Sequence, residues 1–148
     1  KKILLPVDGS RHCMEAARVA GELSARHGGT VEPLVAVDYH YLTSGDLSTN
    51  VIESIQQKIQ ARAAEALETA AAAVRSAGGT AQQGKVLEGD PDQVILREAE
   101  AGEFDVIVIG SRGVSEDSGR TRLLGSVAER VLHRTPCPVL VIRAEPKP

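Results

Sequence analysis

Aromatic side chains are nearly absent from this sequence of 148 residues, which has one Phe, two Tyr and no Trp. Proteins that bind single-stranded nucleic acid stack bases on aromatic rings, so this scarcity counts against that class. Basic residues are not in excess either, since 17 Lys and Arg face 20 Asp and Glu, for a net charge of -3. The balance disfavours nucleic acid and anionic membrane surfaces as partners. The core must be built from aliphatic side chains.

Long apolar runs and clustered cysteines are also missing. No run approaches the ~18 apolar residues of a membrane span. The first run, residues 2–7, stops at an Asp-Gly-Ser turn, too soon for the core of a signal peptide. The two cysteines, Cys13 and Cys137, lack metal-ligand spacing, and a disulfide between them has no support. We expect reduced thiols in a cytoplasmic protein with no membrane partner.

Short apolar runs alternate with helical patterns along the chain. Strands are predicted at residues 2–7, 31–37, 80–87, 106–109 and 139–142. Helices are predicted from Ser10 to 27, at 51–76, from Asp90-Pro91 to 101, and from Ser126. This alternation implies an α/β fold, a doubly wound five-stranded parallel sheet with helices on both faces. Because no linker, composition shift or internal repeat is present, residues 1–148 are predicted to form a single domain.

The second and third strands have weaker patterns than the others. Pro33 removes a backbone donor from the second strand, which favours an early or edge-tolerant position for it. The third strand contains glutamines and a glycine, so its apolar pattern is poor.

Two strand ends carry residues that suggest a binding site. The first strand leads into Pro6-Val7-Asp8-Gly9-Ser10 and the fourth into Gly110-Ser111-Arg112-Gly113. Ligands of open α/β sheets bind beyond the carboxyl ends of the strands, where the strand order reverses. If the strand order is 3-2-1-4-5, these two ends are neighbours at the reversal.

The connection from Gly110 to Gly125 is long, and connections of such length are usually functional or disordered. Glycines before a helix N-terminus let backbone N–H groups approach an anion, and the helix dipole favours negative charge there. Phosphate is the natural ligand. Ser126 and Glu129 form an S-x-x-E capping box that predicts the helix start. The alternative is a flexible loop followed by a normally capped helix. Three arginines could add charge-assisted contacts: Arg112, Arg120 and Arg122.

Asp8 admits two interpretations. Its carboxylate could accept hydrogen bonds from a ribose hydroxyl or an adenine amine, or it could cap the first helix through an Asx-turn. Standard phosphate motifs do not decide between them. The chain has no G-x-x-x-x-G-K-[ST], and no G-x-G-x-x-G follows the first strand, which disfavours a dinucleotide site.

Residues for covalent catalysis are few, and we predict none. The four histidines, at 12, 27, 40 and 133, show neither metal spacing nor an evident serine or cysteine partner. His133 lies in the last turn of a helix, where a protonated imidazole offsets the dipole. Glu116 and Asp117 are adjacent loop acids that are either solvated or able to hold Mg²⁺ beside a phosphate. A metal site is therefore left open.

Four motifs, in order along the chain, resemble the universal stress protein family: VDGS, DVIVIGSRG, LLGSVAERVL and TPCPVLVIR. The resemblance covers essentially the whole chain. It implies a five-stranded parallel sheet, dimerisation through the last strand, Val139–Ile142, and, in one branch, ATP binding. An apolar edge strand also invites pairing for physical reasons. The ATP-binding branch carries G-x2-G-x9-G-[ST] after the fourth strand.

The chain fits both ends of that pattern but not its length. Gly110 and Gly113 match the first part, and Gly125-Ser126 match the last. The 11 residues 114–124 separate the two parts, where the pattern has nine. The loop ends can still converge, because two further residues cost only roughly a few tenths of a kcal/mol. The longer loop places two acids where the charge of a triphosphate would lie.

The resemblance implies a role for each matching residue at an adenine-nucleotide site. Asp8 is similar to the adenine or ribose contact, and Val37 to the apolar wall beside the adenine. The turn after the fourth strand is similar to the ribose–phosphate contact, and the start of the last helix to the phosphate cradle. The candidate cofactor-binding residues are Pro6, Val7, Asp8, Val37, Gly110, Arg112, Gly113, Gly125, Ser126 and Val127.

We therefore predict an ATP- or adenine-nucleotide-binding regulatory protein of the stress response, acting as a homodimer. Its output would be a nucleotide-dependent change of conformation or partner rather than rapid turnover. ATP, ADP and AMP are all open as ligands, with or without Mg²⁺. One alternative is a stress scaffold that binds no nucleotide and uses the loop as a partner surface. Another is a slow Mg²⁺-dependent ATP hydrolase in which Glu116 or Asp117 holds the metal.

Overall fold

Strands and helices alternate along the protein, whose computed structural model describes residues 1–39, 42, 45, 48–111 and 124–143. The strands are β1 (Lys2–Pro6), β2 (Thr30–Val37), β3 (Lys85–Glu88), β4 (Val106–Gly110) and β5 (Val139–Ile142). The helices are α1 (Arg11–His27), α2 (Thr49–Ser76), α3 (Pro91–Ala101) and α4 (Ser126–Arg134). The predicted order of elements is confirmed.

The strands form one parallel five-stranded sheet in the order β3-β2-β1-β4-β5. Ile3 of β1 pairs with Val31 of β2 on one side and with Val106 of β4 on the other. Gly110 at the end of β4 pairs with Ile142 of β5. The winding reverses between β1 and β4, so the doubly wound fold is confirmed and the carboxyl ends of these two strands are neighbours.

Helices cover both faces of the sheet, and alternate residues of each strand enter two separate aliphatic cores. α1 and α2 enclose the first core with small side chains, so they pack closely. A Cβ on Gly21 of α1 would lie 2.5 Å from the carbonyl oxygen of Val74 in α2. The first core includes Ala16, Ala17 and Ala20 of α1 with Ala63, Ala70 and Val74 of α2. The second core includes Val94, Ile95 and Ala99 of α3 with Ala128 and Val131 of α4.

The ends of α1 and α3 follow the local signals of the sequence. The hydroxyl of Ser10 accepts a hydrogen bond from the N–H of Cys13 at 3.2 Å and so caps α1. Gly28 ends that helix with φ 71°, in the left-handed region that glycine tolerates. Asp90 precedes Pro91 at the start of α3, although its side chain makes no capping hydrogen bond.

Among the described residues, no helix has the length and apolar character needed to cross a bilayer.

β3 is shorter than predicted, because its pairing with β2 is interrupted. Val31 bridges Ala81, but regular pairing resumes only at Lys85. The interruption lies beside Pro33, which has no N–H to donate. Gly84 sits against the same proline, and a Cβ there would lie 3.1 Å from the Pro33 carbonyl oxygen. The edge-tolerant position that Pro33 suggested is wrong, since β2 lies between β3 and β1 and the gap in pairing accommodates the proline.

Candidate functional site

The chain leaves β1 through a turn that its own side chains hold. The N–H of Val7 donates to the carbonyl oxygen of Leu34 at 2.8 Å, which extends the contact with β2 beyond the strand. Oδ1 of Asp8 accepts from the N–H of Ser10 at 2.8 Å, and Gly9 adopts φ 85°. This is the Asx-turn of the second interpretation of Asp8. The turn leaves Asp8 exposed at the carboxyl edge of the sheet.

Gly110, at the end of β4, lies against the first turn of α1. A Cβ at this position would lie 2.8 Å from the backbone carbonyl carbon of His12 and 3.0 Å from its carbonyl oxygen. Contacts this short with backbone atoms exclude any side chain unless the backbone moves. Gly110 therefore lets the start of α1 approach the end of β4, a structural need that exists with or without a ligand.

Ser111, the residue after β4, joins three elements of the fold. Its N–H donates to the carbonyl oxygen of Ile142 in β5 at 2.9 Å, and its own carbonyl oxygen accepts from the N–H of Gly125 at 2.6 Å. Its Oγ lies 3.2 Å from Nδ1 of His12 in α1. The two ends of the long connection thus meet at Ser111, as predicted.

α4 begins at Ser126, with Gly125 as its N-cap at φ -66° and ψ 159°. The N–H of Glu129 donates to the Gly125 carbonyl oxygen at 3.0 Å. The capping box predicted for Ser126 and Glu129 is wrong, since Ser126 is the first helical residue and the N-cap position is occupied by Gly125. The hydrogen bond from Gly125 to Ser111 fixes the N-cap one residue earlier. The Ser126 side chain is exposed, and Val127 packs partly against the second core.

The N-termini of α1 and α4 lie beside the end of β4, and each presents the positive end of a helix dipole. The N-terminus of α1 lies over the end of β4, and that of α4 is hydrogen-bonded to Ser111. The first N–H groups of a helix lack partners within the helix, and the dipole makes this end positive. α1 has no acidic residue in its first turn, whereas α4 has Glu129.

The apolar candidates lie at the ends of neighbouring strands. Pro6 pairs with Leu34 in the β1–β2 register. Val7 and Val37, each 6% exposed, belong to the first core. The Val37 carbonyl oxygen accepts from the N–H of Gly89 at 2.9 Å. These residues form a buried apolar layer next to the exposed Asp8 turn.

His12 is the residue of this region that sequence reasoning missed. The sequence shows no evident serine partner for His12, but the structure places Ser111, 99 positions away, beside its ring. Residues so far apart in the sequence form no local pattern from which their contact could be predicted. One signal did exist, because His12 precedes Ala16 and Ala20 at helical spacing on the buried stripe of α1. A polar residue on that stripe needs a partner, and the predicted neighbouring strand end supplies one.

Two candidate nucleophiles near the site, Ser111 and Cys13, are not poised for covalent chemistry. Ser111 is only 2% exposed, so a substrate cannot reach its hydroxyl without rearrangement. Burial raises the pKa of the Cys13 thiol to about 11, so this side chain stays protonated at neutral pH.

Several predicted residues lie outside the described residues, and their roles stay predictions. They are His40, Arg112, Gly113, Glu116, Asp117, Arg120 and Arg122. Within the described part of the chain, no group of three or more His, Cys, Asp or Glu could hold a metal ion.

The chain also matches known proteins over its whole length. The model of the universal stress protein family matches residues 1–143. The chain belongs to the universal stress protein family. This family member is 34% identical over 148 residues to a universal stress protein of Methanocaldococcus jannaschii, with 99% of this chain and 84% of the relative covered. It is 32% identical over 143 residues to one of Thermus aquaticus, with 97% and 98% covered.

Solved structures of the family share the fold. The universal stress protein UspA from Lactobacillus plantarum superposes with a TM-score of 0.80 at 26% identity, covering 97% of both chains. A universal stress protein in complex with cAMP has a TM-score of 0.70 at 23% identity, covering 98% of both chains. A family protein from Arabidopsis thaliana with AMP bound has a TM-score of 0.70 at 19% identity, covering 98% of this chain and 92% of that one. Proteins of this fold have thus been solved with adenine nucleotides bound.

Proposed function

We propose that this universal stress protein binds an adenine nucleotide, ATP in the first instance, at the carboxyl edge of its sheet between β1 and β4. Its output in the stress response is a nucleotide-dependent change of conformation or partner. ADP and AMP are alternative ligands of the same site, and Mg²⁺ accompanies a bound triphosphate. We further propose that residues 1–148 act as one domain in the cytoplasm, in keeping with the two free cysteines.

One observation carries the proposal: the hydrogen bond from the Gly125 N–H to the Ser111 carbonyl oxygen, 2.6 Å long. It holds the start of α4 against the end of β4, and β4 pairs directly with β1. The Asp8 turn and the N-terminus of α4 are thereby attached to adjacent strands at the reversal of strand order. Open α/β sheets bind their ligands at this position.

The start of α4 has the chemistry of a phosphate site. The backbone N–H groups of Ser126 and Val127 lie in the first turn of the helix, where anions are favoured. The Ser126 side chain is exposed and its hydroxyl is a donor suited to a phosphate oxygen. We propose that Arg112 and Gly113 complete the ribose–phosphate contact.

The turn after β1 has the chemistry of a nucleoside site. A carboxylate accepts several hydrogen bonds, so the Asx-turn of Asp8 leaves acceptor capacity for a ribose hydroxyl or an adenine amine. Val7 and Val37 belong to the first core at the ends of β1 and β2, and we propose that Val37 is the apolar wall beside the adenine. The family relatives with cAMP and AMP bound support an adenine base as the occupant.

Binding measurements on matched variants test the site. Asp8→Asn keeps the Asx-turn but removes the charge, and we expect it to weaken ATP binding by about three- to tenfold, the loss of a charge-assisted hydrogen bond. Ser126→Ala should weaken it by a similar factor. The control is Asp105→Asn at the opposite end of β4, where the carboxylate accepts from the Lys2 N–H at 2.7 Å. An equal loss of ATP affinity in Asp8→Asn and Asp105→Asn would contradict the assignment of Asp8 to the nucleotide site.

The exposed edge of β5 supports a homodimer. β5 lies at one end of the sheet, and Leu140 in it is 38% exposed. An apolar edge strand presents unpaired backbone groups that favour pairing with a second strand. We propose that Val139–Ile142 of two copies meet there.

Two alternative functions, a stress scaffold and a slow ATP hydrolase, are also tested by experiment. If purified protein releases no nucleotide on denaturation and binds none, the stress-scaffold function replaces the proposal. In the slow ATP hydrolase, Glu116 or Asp117 would help to hold Mg²⁺, and both belong to the part of the chain not described. Phosphate release that survives replacement of both by Gln and Asn would remove them from that mechanism.

A further inference from the structure

His12 occupies a buried position that its residue type does not favour. It is 6% exposed in the first turn of α1, and its backbone packs against Gly110. Burying an imidazole is costly unless its nitrogens are hydrogen-bonded. Nδ1 meets Oγ of Ser111 at 3.2 Å, so the side chain has a specific partner at the end of β4.

Ser111 transmits any constraint on its side chain to the start of α4. The side chain contacts His12, while the carbonyl of the same residue accepts the N–H of Gly125. Gly125 is itself buried and is the N-cap of α4. A fixed Ser111 side chain limits movement of the attached peptide group, and hence of the carbonyl oxygen that holds Gly125.

We propose that His12 is a positioning residue that acts through Ser111 to hold the N-terminus of α4 in its binding geometry. This inference rests on the proposed function, because it assigns His12 an effect on nucleotide affinity without direct contact. Either tautomer serves, since the serine hydroxyl both donates and accepts. The hydrogen bond is enclosed by protein, where a polar contact is stronger than in water.

The position of His12 explains why the constraint comes from α1 and not from α4. The N-cap of α4 is Gly125, a residue type that offers no side chain for a capping hydrogen bond. The N–H of Gly125 donates to the carbonyl oxygen of Ser111, which ties the start of α4 to the end of β4. The α1 helix, by contrast, is capped by Ser10 and packed against the sheet, so it is a rigid support for the ring of His12.

Three variants separate positioning from stability. Ser111→Ala deletes only the hydroxyl, and His12→Leu keeps bulk but removes the ring nitrogens. His12→Asn places a polar atom near the position of Nδ1 and is the conservative rescue. The control is Ser24→Ala, at the far end of α1, where a buried hydroxyl donates to the Gly29 carbonyl oxygen at 2.6 Å. It removes two hydrogen bonds, because the same hydroxyl oxygen also accepts from the N–H of Thr80 at 3.0 Å. It is therefore a stricter control for stability, and it does not contact the site.

Two readouts make the test decisive. The first is hydrogen exchange of the Gly125 amide by NMR without nucleotide, and the second is the dissociation constant for ATP. We expect Ser111→Ala and His12→Leu to speed Gly125 exchange and weaken ATP binding by about three- to tenfold, the value of one hydrogen bond. His12→Asn should recover most of both effects. Ser24→Ala should leave the ATP affinity unchanged, and it should speed Gly125 exchange by no more than its loss of global stability accounts for.

The outcomes distinguish this inference from the proposed function. Unchanged Gly125 exchange in folded Ser111→Ala overturns the positioning role, whatever the affinity. A second outcome is that Ser111→Ala speeds Gly125 exchange but the wild-type protein binds no nucleotide. The link from His12 through Ser111 to Gly125 would then stand, while the proposed function and the effect on affinity would be overturned. If His12→Leu does not fold, Ser111→Ala decides by the same two readouts.

Discussion

The backbone N–H of Gly125 donates to the carbonyl oxygen of Ser111 across 2.6 Å, which joins the start of α4 to the end of β4. This hydrogen bond holds the two glycine-bearing ends together at the carboxyl edge of the sheet. This explains how a loop two residues longer than the family's ATP-binding pattern can still bring Gly110 and Gly125 together. Closing a loop that is two residues longer costs roughly a few tenths of a kcal/mol, which is a small cost for a folded domain.

Replacement of Gly110 by Ala should destabilise the protein. The added Cβ would meet the backbone of His12 at 2.8 to 3.0 Å, so α1 or β4 must shift. We expect a loss of about 1–3 kcal/mol in the free energy of unfolding, the usual cost of overpacking. Urea denaturation measures it. Gly45→Ala is the control, since no atom lies within 4 Å of its added Cβ, and a loss as large there would contradict the packing argument.

Serine-to-alanine changes at the two helix starts should differ in their effect on stability. Ser10 is the N-cap of α1 and accepts from the Cys13 N–H, so Ser10→Ala should cost about 1 kcal/mol. Ser126 is the first helical residue of α4 and not its cap, so Ser126→Ala should cost clearly less. Thermal unfolding of both variants checks this. A larger loss of stability for Ser126→Ala than for Ser10→Ala would indicate that Ser126 is the N-cap of α4 and would contradict the structure.

Cys13 should make the stability depend on pH in the alkaline range. Its pKa is raised by burial from 9.0 to about 11 in the folded protein. Between these values the unfolded thiol is ionised while the folded thiol is protonated, so rising pH favours unfolding. The loss should be absent below pH 9 and complete near pH 11, and should amount to about 2–3 kcal/mol.

Urea unfolding at several pH values, with wild type compared with Cys13→Ala, isolates this contribution. The variant should lose less stability than wild type as the pH rises from 9. The same change at the partly buried Cys137 is the control for general alkaline effects. If wild type and Cys13→Ala lose stability in parallel, the thiol is not responsible.

A charge on the edge of β5 should prevent the proposed dimer. Leu140 is 38% exposed on this edge, and Leu140→Lys puts a solvated cation where two strands would pair. Sedimentation should show a dimer for wild type at micromolar concentration and a monomer for the variant. Val51→Lys, at an exposed site of α2, should remain a dimer. Wild type that sediments only as a monomer would contradict the proposal.

The fold could be predicted because its signals are local. The buried stripe of α1 follows from helical spacing of Ala16 and Ala20, and its end from Gly28. The strands appear as continuous apolar runs because both faces of a parallel sheet are buried. β3 departs from this rule, since its regular pairing with β2 begins only at Lys85, beyond Pro33, which has no N–H to donate.

The site was predicted less completely because its organising contacts are not local. Ser126 followed by Glu129 has the spacing of a capping box, yet the hydrogen bond to Ser111 moves the cap to Gly125. The pairing of His12 with Ser111 depends on β1 and β4 lying side by side. Such contacts become visible only when the tertiary arrangement is known.

Titration calorimetry of the purified protein with ATP tests the central claim most directly. ADP, AMP and cAMP serve as comparison ligands, each with and without Mg²⁺, and GTP controls for recognition of the base. The account predicts saturable binding of at least one adenine nucleotide with a dissociation constant below about 1 mM, and weaker binding of GTP. Absence of saturable binding by every adenine nucleotide up to millimolar concentration, in protein shown to be folded and free of bound ligand, would contradict it.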